Sequence, residues 1–157
     1  SWSYVPGDVY KPADELVKKL VDIVSKGGNY LLNIGPGPDG ELDSAAYSRL
    51  KEIGNWMKIN GEAIYNTRMY SVFGEGENIR YTQSKDGKTK YVFLFLFPGE
   101  KLLLKNIAAG KRTAVQLLGS NTRIPVKQTA DGVEISIPVS IKAVTNYVWV
   151  LKFQDGK

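Results

Sequence analysis

The chain has 157 residues, of which 43% are hydrophobic and 24% are charged, an ordinary composition for a globular protein of one domain or two small ones. It contains no cysteine and no histidine. Zinc sites of the usual kind are therefore excluded, as are nucleophile systems built on Cys–His or Ser–His–Asp. Catalysis by this chain alone would have to use Asp, Glu, Lys or Tyr.

The net charge of +5 does not indicate a nucleic-acid partner, because Lys and Arg are spread along the chain among Asp and Glu. No apolar run approaches the ~20 residues needed to cross a bilayer, so we expect no membrane partner. The first residues, "SWSY", include no initiator methionine, and we expect the chain to be part of a longer protein.

The first half predicts a helix, a strand and a second helix. Residues 13–26 form an amphipathic helical pattern that begins after Pro12. Residues 30–34, "YLLNI", read as a strand buried on both faces, as in a parallel sheet. Residues 44–59 predict a second helix capped by Asp43, in which Gly54 suggests close backbone packing. This order is typical of a piece of an α/β fold.

The second half predicts an antiparallel β-sandwich. Helical periodicity stops near residue 68, and short β-like runs follow, separated by turn signals such as Asp131-Gly132. The runs are 79–83, 90–97, 101–105, 113–118, 126–129, 133–137 and 147–153. We therefore divide the chain into residues 1–68 and residues 69–157.

The run 91–97, "YVFLFLF", is apolar on both faces of a strand. We expect Tyr91, Phe93, Phe95 and Phe97 to fill the sandwich interior. Val92, Leu94 and Leu96 would then need separate cover, because an exposed apolar row invites aggregation. The helices of the first half, or another copy of the chain, would supply that cover.

Gly35, Gly37 and Gly40 in "IGPGPDG" match the G-x-G-x-x-G dinucleotide fingerprint. Pro36 and Pro38 have no N–H to offer a phosphate, and the next helix is delayed until after Asp43. We therefore interpret the loop as a rigid connection between a strand and a helix, and nucleotide binding as a distant alternative.

Two stretches carry a family resemblance: "SWSYVPGDVYKPADELVKKLVDIVSKGGNYLLNIGPGPDGELD" and "LKEIGNWMKINGEAIYNTR". Together they resemble the C-terminal part of α-L-fucosidases of glycoside hydrolase family 29, over about residues 1–70. The remainder resembles the family's C-terminal β-sandwich only in pattern. Ser3, Pro12 and Met69-Tyr70 stand where the family usually has Gly, Ser and Pro-Trp.

The resemblance implies an α/β piece, the last βα elements of a (β/α)₈-type barrel, followed by an antiparallel β-sandwich. It also implies a retaining enzyme that acts on fucosylated glycans without a cofactor or a metal. The family's nucleophilic Asp, and usually its acid/base Glu, precede the S-W-G-Y motif, so we expect no catalytic residue here and no activity from the chain alone. Its partners would be the remainder of the barrel or another copy of the chain. A secreted, periplasmic or lysosomal location would fit the family.

Among the residues present, Trp2 is the candidate for substrate contact, since an aromatic ring can cover the apolar edge of fucose. A core Trp that plugs the barrel mouth is an equal alternative. Asp39, Asp43 and Glu62 each have a sufficient structural role, as turn, helix-cap and helix-end residues. Trp56 and Trp149 are expected to be packing residues.

A rival hypothesis from another class is a noncatalytic carbohydrate-binding or structural β-sandwich module. It explains residues 70–157 as well as the fucosidase hypothesis does. It leaves the first 70 residues unexplained.

Overall fold

The structure, a computed structural model, describes residues 3–156. It contains two helices and two antiparallel sheets. The helices are α1 (Ala13–Ser25) and α2 (Ser44–Asn60), and a short 3₁₀ turn, Gly61–Ala63, follows α2. The strands are β1 (Thr67–Glu75), β2 (Ile79–Ser84), β3 (Thr89–Leu94), β4 (Lys101–Leu104), β5 (Ala114–Leu117), β6 (Val126–Gln128), β7 (Val133–Ser136) and β8 (Trp149–Gln154). A second 3₁₀ segment, Val139–Val144, precedes β8.

Both predicted helices are confirmed. Pro12 precedes the first turn of α1, which carries Asp14 and Glu15, where acidic side chains favour a helix N-terminus. The carboxylate of Asp43 caps α2 by accepting a hydrogen bond from the Ala46 amide at 2.9 Å. The close packing expected at Gly54 is wrong, because an added Cβ would meet no atom within 4 Å.

The buried strand predicted at residues 30–34 is not formed within residues 3–156. These residues belong to no sheet, and Leu31 is 84% exposed. A parallel strand needs neighbours on both edges and cover on both faces. Within the described residues, neither of the two sheets supplies a neighbour.

The strands form a five-stranded sheet, in the order β1-β2-β3-β8-β5, and a three-stranded sheet, in the order β4-β7-β6. All seven strands predicted from the sequence exist, with ends shifted by one to three residues. The sequence prediction missed β1. That strand has irregular register with β2 between Met69 and Gly74, which disrupts the alternation that would reveal a strand.

The molecule has three layers: helices, the five-stranded sheet and the three-stranded sheet. One core lies between the two sheets and includes Val92 and Leu94 of β3 with Ile135 of β7. A second core lies between the helices and the five-stranded sheet and includes Val17 of α1 and Trp56 of α2.

Residues 91–95 present their faces in the reverse of the prediction, whereas Phe97 packs against the core between the sheets as predicted. Tyr91 and Phe93 pack under the helices, whereas Val92 and Leu94 fill the sandwich. Register with β8 sets this phase, since Phe93 lies opposite Val150 and Val92 lies opposite Leu151. Strand β3 ends at Leu94, and Leu96 is 60% exposed. Helices cover one apolar face of β3, as expected, but that face carries the aromatic residues Tyr91 and Phe93.

Over residues 3–156, neither helix combines the length and the apolar character that a membrane crossing requires.

Candidate functional site

The glycine loop, residues 35–40, uses its own amides to close a turn. The Gly40 amide donates to the Gly37 carbonyl at 2.9 Å, and the Gly37 amide donates to the Glu41 carbonyl at 2.7 Å. The Asp39 carboxylate accepts from the Glu41 amide at 3.1 Å. Because Pro36 and Pro38 have no amide proton, few N–H groups remain to bind a phosphate. This geometry supports the interpretation of the loop as a rigid connection.

The N-terminal segment, residues 3–11, lies directly against the glycine loop. A Cβ on Gly35 would stand 2.5 Å from the Tyr4 nitrogen and 2.8 Å from the Ser3 carbonyl carbon. Only glycine allows such close contact between two backbones. Trp2, the predicted substrate contact, lies outside the described residues. Ser3 and Tyr4 themselves lie against the loop.

Two hydrogen bonds hold the N-terminal segment on the first half of α2. The Tyr10 hydroxyl donates to Oδ2 of Asp43 at 2.9 Å, so Asp43 binds both the segment and the helix end. Nε of Arg49 donates to the Lys11 carbonyl at 3.0 Å. The segment is therefore fixed to α2 just before α1 begins.

The other end of α2 is fixed to residues 145–148, which lead into β8. Nε1 of Trp56 donates to the Val148 carbonyl at 2.9 Å, and Nδ2 of Asn60 donates to Oγ1 of Thr145 at 3.3 Å. One turn further back, the Tyr147 hydroxyl donates to Oε2 of Glu52 at 2.7 Å. The helix is thus bonded to the sandwich along one face.

The carboxylates of Asp39, Asp43 and Glu62 each accept hydrogen bonds that stabilise the fold. Asp39 closes the loop turn, and Asp43 caps α2. The hydrogen bond from the Ala46 amide, with that from Tyr10, holds the pKa of Asp43 below its usual range. A catalytic acid needs the opposite shift, a raised pKa.

Glu62 lies on the side of the sandwich. Its Oε2 accepts from Nζ of Lys152 at 2.8 Å and from the Tyr91 hydroxyl at 3.2 Å. Burial and the charge of Glu62 raise the pKa of Tyr91 to about 12, so the phenol remains a donor. The carboxylate therefore links the 3₁₀ turn after α2 to strands β3 and β8.

An open, largely apolar groove of about 880 Å³ lies between the helices, residues 27–32 and residues 64–69. Leu20, Met57 and Met69 contribute to its lining. Within residues 3–156, no group of three or more Asp and Glu side chains is arranged to hold a metal ion.

Residues 1–62 match the family model described as Alpha-L-fucosidase, and residues 75–154 match the model described as Alpha-L-fucosidase C-terminal domain. The chain belongs to the α-L-fucosidase family. The resemblance of the sequence motifs to glycoside hydrolase family 29 is confirmed. The predicted fold class, the end of a catalytic domain followed by a β-sandwich, is confirmed too.

Relatives in the α-L-fucosidase family match nearly the whole chain. An α-L-fucosidase of Dictyostelium discoideum is 34% identical over 154 residues, which are 93% of this chain and 33% of that protein. Human tissue α-L-fucosidase is 32% identical over 165 residues, with 100% of this chain and 35% of that protein covered. The chain spans about a third of the length of these curated relatives.

Solved α-L-fucosidases share the fold. The Thermotoga maritima α-fucosidase in complex with a mechanism-based inhibitor superposes with a TM-score of 0.87 at 28% identity, covering 98% of this chain and 37% of that one. Isoenzyme 1 from Paenibacillus thiaminolyticus superposes with a TM-score of 0.85 at 27% identity, covering 99% and 38%. The division of this chain after residue 68 stays a prediction, and the two family models leave residues 63–74 between them.

Sequence reasoning missed Tyr10, Arg49, Glu52 and Tyr147. Arg49 and Lys11 are 38 residues apart, and Tyr147 and Glu52 are 95 residues apart. No local sequence pattern predicts contacts between residues so far apart. The only signal is the spacing of Arg49, Glu52 and Trp56 on one helical face.

Proposed function

We propose that this chain is the C-terminal portion of a retaining α-L-fucosidase that hydrolyses terminal α-L-fucose from glycoconjugates. The observation that carries the proposal is the match to both family models, in order, within one chain. A noncatalytic sandwich module would account for the second match alone.

The glycine loop is proposed to form part of the wall of the sugar pocket. It follows residues 30–34, and barrels of this type place their sites at the carboxyl ends of their strands. The N-terminal segment packs on the same loop through Ser3 and Tyr4. Trp2, the next residue along that segment, is the proposed aromatic contact for fucose.

The catalytic carboxyl groups are proposed to come from residues that precede Ser1 in the whole enzyme. Retention needs two carboxyl groups about 5–5.5 Å apart, one as nucleophile and one as acid/base. Asp39, Asp43 and Glu62 are occupied by a turn, a helix cap and an ion pair. The chain alone is therefore proposed to be inactive.

The remainder of the barrel is proposed to cover the surfaces that this chain leaves bare. Leu31 is 84% exposed, and residues 30–34 belong to no sheet. The apolar groove beside them is lined by both helices. Neighbouring barrel strands would pair with residues 30–34 and bury Leu31. Full burial of one large apolar side chain stabilises a fold by about 1.5–3 kcal/mol.

Assay of the chain alone on an aryl α-L-fucoside tests where the catalytic groups lie. We expect no turnover above background, and we expect turnover when the same sequence follows a complete barrel. Turnover by the chain alone that is abolished by Asp39→Asn or Asp43→Asn would place the chemistry inside this chain and contradict the proposal. An aryl α-galactoside serves as the matched control substrate.

A further inference from the structure

Helix α2 contacts the N-terminal segment at one end and the sandwich at the other, through neighbouring side chains. Arg49 donates through Nε to the Lys11 carbonyl at 3.0 Å and through a terminal guanidinium nitrogen to Oε1 of Glu52 at 2.9 Å. Glu52 in turn accepts the Tyr147 hydroxyl on its other oxygen at 2.7 Å. A continuous line of hydrogen bonds therefore runs from the Tyr147 hydroxyl through Glu52 and Arg49 to the Lys11 carbonyl.

The guanidinium suits this position because it offers several donors in a fixed plane. One nitrogen can bind a carbonyl while another binds a carboxylate, which an ammonium group cannot reproduce with the same geometry. The Arg49 and Glu52 side chains are 30% and 32% exposed, so water screens the pair only partly. Ser48 also donates to Oε1 of Glu52 at 3.0 Å, which further restricts that carboxylate.

Tyr147 holds an unusual backbone conformation at the sandwich end of the line. Its φ is 70°, in the left-handed region that disfavours side chains larger than glycine. Such strain persists where the surrounding structure requires it. The hydroxyl bond to Glu52 and the packing of the ring against the helix-side core are what the side chain contributes here.

We propose that Arg49 and Glu52 are positioning residues, through which the sandwich, by way of Tyr147, holds the N-terminal segment against the glycine loop. The meaning of this link for catalysis rests on the proposed function, because there the loop and Trp2 face the sugar. The sandwich then has a role beyond packing, since it sets the place of the segment that directly follows Trp2. The link itself is a property of this chain and can be tested without activity.

Chymotrypsin cleavage after Tyr10, followed by mass spectrometry of the chain, reports release of the N-terminal segment. Arg49→Gln and Tyr147→Phe should each accelerate this cleavage about fivefold, as expected when one ordinary hydrogen bond that limits local opening is lost. Arg49→Lys should behave like Arg49→Gln. Lys51→Gln, an exposed cation on the same helix, and Tyr65→Phe, an exposed phenol, should leave the rate unchanged.

Three results would overturn the proposal. An unchanged cleavage rate in Tyr147→Phe beside a raised rate in Arg49→Gln would show that the link ends at α2. Full retention of slow cleavage in Arg49→Lys would show that only a positive charge is needed. Equal acceleration after Tyr91, in buried strand β3, would show general loosening instead of a specific link.

In the whole enzyme, Tyr147→Phe and Arg49→Gln should raise KM for an aryl α-L-fucoside about fivefold with little change in kcat, the pattern of lost binding that is uniform between ground and transition states. A fall in kcat at constant KM would contradict a positioning role. If the whole enzyme hydrolyses no fucoside at all, the proposed function fails, and cleavage after Tyr10 still decides whether the link exists.

Discussion

The indole Nε1 of Trp56 donates a hydrogen bond to the carbonyl oxygen of Val148 at 2.9 Å, across 92 residues of sequence. Trp56 is 3% exposed and lies in the core that joins the helices to the five-stranded sheet. The bond therefore joins the helical half of the chain to the sandwich half inside a buried interface. The helices and the sandwich are packed together and not merely tethered.

Trp56→Phe should lower the free energy of unfolding by about 1–3 kcal/mol, because the buried Val148 carbonyl loses its side-chain donor and the smaller ring leaves space. Urea unfolding followed by circular dichroism measures the change. Tyr65→Phe, on the exposed surface after the same helix, is the matched control and should change stability little. An unfolding curve for Trp56→Phe that matches the unsubstituted chain would contradict the interface role.

Leu94→Lys should destabilise the chain severely, by about 3 kcal/mol or more, since Leu94 is 2% exposed in the core between the sheets. Leu96→Lys, two residues along the same apolar run, should be nearly neutral because Leu96 is 60% exposed. Thermal unfolding of the two variants side by side makes the comparison. Equal loss in both would mean that the run continues as a buried strand past residue 94.

Asp22 gives stability a specific dependence on pH. Burial raises its pKa, but hydrogen bonds from Lys26 and Arg80 outweigh burial and hold the pKa below its ordinary value of 3.8. The contribution of the ion pair is therefore present above that value and is lost as the pH falls through the lower folded pKa.

Asp22→Asn should cost about 1 kcal/mol at neutral pH, a modest figure because the Asp22 side chain is 29% exposed. The difference from the unsubstituted chain should shrink as the pH is lowered below about 4. Urea midpoints measured across this range check the prediction. Glu15→Gln, which removes the exposed pair with Lys11, is the control and should cost less. A constant difference at every pH would exclude the ion pair as its source.

Gly35→Ala should displace the N-terminal segment, because the new Cβ would meet backbone atoms of Ser3 and Tyr4 at 2.8 Å and 2.5 Å. Faster chymotrypsin cleavage after Tyr10 would report the displacement. Gly54→Ala is the opposite case, since its Cβ meets nothing within 4 Å and α2 gains about 0.5–1 kcal/mol of helix propensity. Slow cleavage in Gly35→Ala would contradict the contact between segment and loop.

The sequence allowed the helices and most strands to be predicted because their signals are local. Asp43, a helix-capping residue, indicates the start of α2. The alternation of apolar and polar residues at Val133, Glu134 and Ile135 predicts β7. The run 91–97 predicts a strand but does not predict which of its two faces meets the helices. Every position in it is apolar, so no polar face marks the side that meets the helices.

The candidate site was less predictable because its geometry depends on distant pairs. Gly35 requires a close neighbour, but nothing in the sequence identifies Tyr4 as that neighbour. Residues 30–34 carry a strand pattern whose pairing partners are not found in either sheet of the described chain. Tyr10 and Asp43, 33 residues apart, meet just before the first turns of α1 and α2.

The most direct measurement is the activity of a chimera in which this sequence replaces the matching 37% of the Thermotoga maritima α-fucosidase. The chimera should hydrolyse an aryl α-L-fucoside, and proton NMR of the first-formed sugar should show α-L-fucose, the product of retention. It should leave the aryl α-galactoside intact. A chimera that folds, as judged by circular dichroism and cooperative unfolding, but releases no fucose would contradict the account. First-formed β-L-fucose would contradict the retaining mechanism.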